Sequence, residues 1–227
     1  MRASVATRPQ TRRVNARDVV IGPLGLAGTL HQPPSASALV VFAHGSGSSR
    51  FSPRNRAVAE ALNAQGIATL LFDLLTPDEE SERANVFDIP LLAERLIDVV
   101  RWIDTQPELK RLPLGLFGAS TGAAAALVAA AELGMRVGAV VSRGGRPDLA
   151  NAALEQVTAP TLLIVGGFDD VVIELNEQAY ARLTAPKAIE IVPGATHLFP
   201  EPGTLDVVIT HAARWFNAYL GSRNKAG

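Results

Sequence analysis

The stretch Leu114-Gly115-Leu116-Phe117-Gly118-Ala119-Ser120-Thr121-Gly122 decides how the rest of the chain is read. An apolar run ends at Phe117 and an alanine-rich segment of helical character opens at Thr121, so the G-x-S-x-G residues between them must turn a strand directly into a helix. Backbone in such a turn is strained, and the glycines on either side keep Cβ atoms out of a crowded corner. Ala123 to Ala126 are small enough to let the helix lie close against a sheet. The bare pattern arises often by chance. Its strand–turn–helix setting makes Ser120 a candidate nucleophile rather than an incidental serine.

Working outward, short β-branched runs alternate with segments of helical period. Ala38 to Phe42, Ile67 to Phe72, Val137 to Val141, Thr161 to Val165 and Ala188 to Val192 read as further strands. Ser52 and Pro53 supply an N-cap and a first-turn proline for a helix running to about Gln65. Leu92, Leu96, Val99, Val100 and Ile103 form one apolar face of a second helix, and Leu205, Val208, Ile209, Ala212, Phe216 and Tyr219 a stripe on the last, about Thr204 to Leu220. Strands that are apolar throughout imply burial on both faces, and helices between them imply parallel crossovers. The fold class is therefore α/β, a mostly parallel, doubly wound sheet flanked by helices. A short antiparallel entry is expected around Asp18 to Leu30.

Composition narrows the function. Of 227 residues, 48% are hydrophobic and 19% charged, with mean hydropathy +0.18 and net charge −1. That balance predicts neither a nucleic-acid partner nor an anionic membrane surface. Cysteine is absent, which excludes disulfides and thiolate chemistry, and four scattered histidines (His31, His44, His197, His211) argue against a metal centre. The first 17 residues carry five arginines and no apolar core, so they read as a flexible basic leader, not a secretory signal. Residues 18–222 then form a single domain, since no linker or repeat divides them. The longest apolar run, Ala123 to Ala131, is too short to span a bilayer, and the chain is expected to be cytoplasmic.

A serine hydroxyl needs a base to become a nucleophile. Two strands downstream of Ser120 run into loops bearing suitable groups. Gly166-Gly167-Phe168-Asp169-Asp170 offers two carboxylates, and Pro193-Gly194-Ala195-Thr196-His197 offers an imidazole. Both loops fall on the same edge of a parallel sheet as Ser120. His197 is the candidate base, with one of the two aspartates holding its tautomer. For the oxyanion of an acyl-transfer intermediate, backbone N–H groups are expected from Thr121 and from Ser46, in the glycine-rich loop His44-Gly45-Ser46-Gly47.

Together these motifs resemble the α/β-hydrolase superfamily, with the dienelactone hydrolase-like family the nearest match, from about Val19 to Leu220. The resemblance implies a sheet of about eight strands, and hydrolysis of a small ester or lactone substrate without a cofactor. It also selects Asp169 over Asp170, because the family's acid stands third after the first glycine of its turn. One departure is clear: dienelactone hydrolases proper carry a cysteine where this chain has Ser120, so acyl transfer carries over and the dienelactone substrate does not. Similar sequences also look like the hydrolase part of fusions with phosphoribosyltransferase domains.

Only Ser142 to Ala159 separates the sixth strand of such a sheet from the next, so no large cap is expected and the pocket should be open. The acidic segment Thr76 to Pro90 reads as a solvated loop. Arg143 and Arg146 follow a strand on the catalytic edge and are candidates to hold a substrate carboxylate or phosphate. Surface pairing with Asp148 is the competing role. The same three groups would also serve a thioesterase, an amidase or a cofactor-free perhydrolase, and a non-catalytic binding protein is the remaining alternative.

Overall fold

The structure, a computed structural model, describes residues 15–221. Eight strands join one sheet: β1 (Asn15–Ile21), β2 (Leu26–Gln32), β3 (Ala38–Ala43), β4 (Ile67–Phe72), β5 (Leu114–Ala119), β6 (Val137–Arg143), β7 (Thr161–Gly166) and β8 (Lys187–Val192). Their order across the sheet is β1-β2-β4-β3-β5-β6-β7-β8. The β1–β2 and β2–β4 pairs are antiparallel and the other five are parallel. The expected α/β architecture is thus present, with its antiparallel entry. Residues 1–14 of the expected leader, and residue 222, lie outside the described residues. The leader's other boundary moves: 15–17 belong to β1, where Arg17 pairs with Glu108 at 2.6 Å.

Among the described residues, six helices flank the sheet: α1 (Pro53–Ala64), α2 (Pro77–Ser81), α3 (Ile89–Thr105), α4 (Thr121–Leu133), α5 (Asp170–Arg182) and α6 (Thr204–Leu220). Side chains alternate across a strand, so each apolar strand feeds two cores. Leu39, Val41 and Ala43 of β3 pack with the apolar faces of α3 and α4, while Ala38, Val40 and Phe42 pack on the other face with α1 and α6. This is why the strand sequences are apolar without a gap. At the centre of the second core, Phe216 of α6 lies against Gly115 of β5, where any Cβ would come within 2.7 Å of its ring.

Two segments differ from the sequence reading. Thr76 to Pro90 is not a solvated loop throughout. Thr76 caps α2 in a reciprocal box with Glu79, Arg95 pairs with Glu79 at 2.5 Å, and residues 85–87 form a further helical turn. The capping box was in the sequence as Thr76-Pro77-Asp78-Glu79, the signature of a helix start. Between β6 and β7, Pro147–Gln156 forms short 3-10 turns broken at Asn151, and these add no cap over the strand ends. Among the described residues, no helix is long and apolar enough to cross a membrane.

Phe216 is fully buried between α6 and β5. Phe216→Ala should lower stability by about 3–5 kcal/mol, read as a reduced urea midpoint at unchanged denaturant slope.

Candidate active site

The turn after β5 takes the predicted form. Ser120 stands at φ 52°, ψ −123°, a left-handed backbone that a non-glycine residue rarely adopts, between the last residue of β5 and the first of α4. A Cβ on Gly118 would sit 2.4 Å from Ala123 Cα, and one on Gly122 would sit 2.3 Å from the carbonyl oxygen of Ala43. Both glycines are there because backbone passes through the space a side chain would need. The strained residue is held from the β6 side: its N–H donates to Arg143 O at 3.3 Å, and its own carbonyl accepts from the Arg146 N–H at 3.1 Å.

Asp169 and His197 come from loops after neighbouring strands. β7 and β8 end side by side, and their loops are tied by backbone bonds from Gly167 N–H to Val192 O (2.8 Å) and from Phe168 N–H to Ala195 O (2.9 Å). The result is a 2.6 Å contact between His197 Nδ1 and Asp169 Oδ2. A carboxylate oxygen only accepts, so Nδ1 carries the proton and Nε2 is left as the basic nitrogen. Asp170, the competing acid, is exposed in the first turn of α5 and takes no part in this bond. Glu201 anchors the histidine loop, accepting from the Thr196 N–H at 3.1 Å and its hydroxyl at 2.6 Å. The hydroxyl bond, foremost, holds the Glu201 carboxyl below its usual range.

Ser120 and His197 line one open cleft of about 350 Å³, together with the Gly45–Ser48 loop and Arg143. Among the described residues no hydrogen bond joins the hydroxyl to the imidazole, a looseness common in unliganded sites. Thr121 opens α4, so its N–H is one of the helix's unpaired first-turn donors, at the positive end of the helix dipole. The second expected oxyanion donor is already engaged: the Ser46 N–H donates to Thr121 Oγ1 at 3.1 Å. An incoming oxygen must displace Thr121 Oγ1 as the acceptor of that N–H.

The two arginines part company. Arg146 forms a paired bond with Asp148, at 2.9 Å and 2.8 Å, and does not line the cleft, so its guanidinium is the surface ion pair. Arg143 is not on an exposed loop. It is the last residue of β6, 5% exposed, and faces the cleft. His44, set aside in the sequence reading, proves structural. Its Nδ1–H donates to Gly45 O at 3.0 Å and its Nε2 accepts from the Leu74 N–H at 3.1 Å, pinning the glycine-rich loop to the end of β4. Those two bonds require the neutral ring, and burial above all pushes its pKa down. Its place at the end of β3, directly before Gly45, was the only signal in the sequence. Beside that loop, Leu74, Val86 and Leu92 help line a small hollow of about 20 Å³, room for a single water.

Residues 36–217 match the family described as Alpha/beta hydrolase domain. The chain belongs to the α/β hydrolase family. It is 54% identical to a dienelactone hydrolase from Anabaena variabilis, whose crystal structure superposes with a TM-score of 0.88 over 92% of this chain and 98% of that one. Est1E from Butyrivibrio proteoclasticus shares the fold at 16% identity, with a TM-score of 0.74 over 91% and 99% of the two chains. A Mycobacterium tuberculosis protein, provisionally named a phosphoribosyl transferase, is 61% identical over 209 residues, 92% of this chain and 47% of its own length. The chain therefore spans about half the length of the curated relatives it matches.

Because a depressed histidine pKa withdraws stability as pH falls below the unfolded value of about 6.5, His44 should make the fold weaker at pH 5 than at pH 7. His44→Leu leaves the Gly45 carbonyl and Leu74 N–H unpaired, at a cost of about 1–3 kcal/mol at pH 7. Urea titrations at both pH values should also show a shallower pH dependence in this variant.

Proposed function

We propose that this domain is a serine hydrolase that cleaves a carboxylic ester or lactone of a small substrate through Ser120, His197 and Asp169. The observation that carries the reading is the Asp169–His197 hydrogen bond of 2.6 Å, opening on the same cleft as a serine held in left-handed backbone. Family membership and the dienelactone hydrolase relative support it.

The chemistry runs in two halves. Ser120 Oγ attacks the substrate carbonyl carbon while His197 Nε2 takes its proton, and Asp169 stabilises the imidazolium that results. The carbonyl oxygen, now an anion, is held by the Thr121 N–H and by the Ser46 N–H once that donor leaves Thr121 Oγ1. The C–O bond to the leaving alcohol breaks, and His197 returns the proton to it. Water then attacks the acyl-serine with His197 again as base, and the acid departs as Ser120 regains its proton. With no cap over the strand ends, either a small or an extended acyl group has access. The phosphoribosyl transferase name belongs to proteins about twice as long as the matched stretch, and we assign acyl transfer to this domain.

A fluorophosphonate probe should label the folded protein on Ser120, mapped by peptide mass spectrometry, and Ser120→Ala should abolish labelling. Absence of label on the folded parent protein would refute the assignment. On a short-chain nitrophenyl ester, Asp169→Asn should lower kcat by about 10⁴-fold, whereas Asp170→Asn should stay within about threefold. A thioester and amide panel with the same acyl group then sets the leaving-group preference.

A further inference from the structure

Arg143 is a cation buried beside the reacting serine without a counter-charge. Its Nη2 donates to Asn55 Oδ1 at 3.3 Å, and its Nε has no partner among the described residues. A charge of the same sign acts on it. Arg54, in the first turn of α1, lines the same cleft, and its Nε too is buried and unpartnered. Among the described residues neither guanidinium forms an ion pair, and no aspartate or glutamate lines the cleft. By contrast, Arg50, Arg95, Arg136 and Arg146 each face a carboxylate, of Asp73, Glu79, Asp104 and Asp148 respectively. Burial, and then the charge of Arg54, push the Arg143 guanidinium down to about 10, still cationic at neutral pH.

Two like charges held in one cavity without an acid are costly to keep unless something else supplies the anion. The surroundings suit an oxyanion. Ser48 and Ser52 also line the cleft, and α1 begins there, with Ser52 as its N-cap. We propose that Arg143 and Arg54 form a subsite for an anionic oxygen group, a carboxylate or a phosphate, on the non-reacting end of the substrate. The claim rests on the hydrolase reading for what happens at Ser120, and on the cleft alone for the binding itself. It assigns the cleft's selectivity to esters or lactones that carry a negative charge away from the scissile bond. Asn55, which lines the same cleft, accepts from the Arg143 guanidinium through its side-chain carbonyl oxygen.

Binding is measured on the full chain carrying Ser120→Ala, by calorimetry with inorganic phosphate and with succinate as probes. At least one should bind, and Arg143→Gln and Arg54→Gln should each weaken it, the first by about tenfold or more, the worth of a lost charge-assisted bond. Tighter phosphate binding identifies a phosphate group as the natural anchor, and tighter succinate binding a carboxylate. Because Arg143 is buried, Arg143→Lys and Arg54→Gln, at a less deeply buried position, keep the test open if Arg143→Gln does not fold. With Ser120 present, the ratio of kcat/KM for mono(4-nitrophenyl) succinate to that for 4-nitrophenyl acetate should fall about tenfold in the arginine variants. Failure of both probes to bind, equal affinity in folded arginine variants, or an unchanged ratio would overturn the subsite. Failure of the hydrolase reading is separate: it appears as absent fluorophosphonate labelling while anion binding persists.

Discussion

Everything at the strand ends depends on holding Ser120 in backbone that serine does not favour. A non-glycine residue in this region costs about 1–3 kcal/mol and survives only where its surroundings leave no alternative. Here the constraint comes from both sides. β5 lies between β3 and β6, so the turn is wedged against the Ala43–His44 backbone through Gly122 and bonded to the β6 end through Arg143 O and the Arg146 N–H. The chain also reverses its direction of winding there: β3 is followed by β4 on one side, and β5 is placed on the other. That switch opens a crevice at the carboxyl ends of β3 and β5, into which the serine projects.

The rest of the constellation follows from which strands are neighbours. β7 and β8 are adjacent and parallel in a register that pairs Gly166 with Val192, so their loops leave the sheet together. Two backbone bonds then hold those loops at one separation, and the Asp169–His197 contact inherits its short distance from them. Glu201 and His44 do the same work at one remove. The first fastens the loop that bears His197, and the second fastens the loop that faces Ser120. Neither needs to touch a substrate to matter, since an active site misplaced by about 1 Å can lose two orders of magnitude in rate.

What the sequence made legible is what local pattern determines. Strand and helix placement followed from apolar runs and caps, and the candidates Ser120, His197 and the pair Asp169-Asp170 from loops at strand ends, with the family resemblance choosing Asp169. What stayed hidden depends on contacts between segments far apart in the chain. Arg143 and Arg146 stand three residues apart in one loop and look equivalent in sequence. Only the strand's extension to Arg143, two residues past Val141, buries one guanidinium and leaves the other beside Asp148. The role of His44 requires Leu74, 30 residues on, and the engagement of the Ser46 N–H requires Thr121, 75 residues on. The helix at Pro77–Ser81 is a different case: its capping box was local and readable, and the density of acids obscured it.

One consequence links the elbow to the cleft. Residue 143 meets Ser120 through its carbonyl oxygen, and the cleft through its guanidinium. The first contact is backbone, so it persists whatever side chain occupies the position. The second belongs to arginine alone. A side-chain substitution there therefore changes the charge of the cleft without removing the bond that restrains Ser120. Arg54 approaches from α1, an element that makes no bond to Ser120, and carries the same charge into the same space. Support for the strained serine and the positive field around it are thus separable in this fold, although one residue contributes to both.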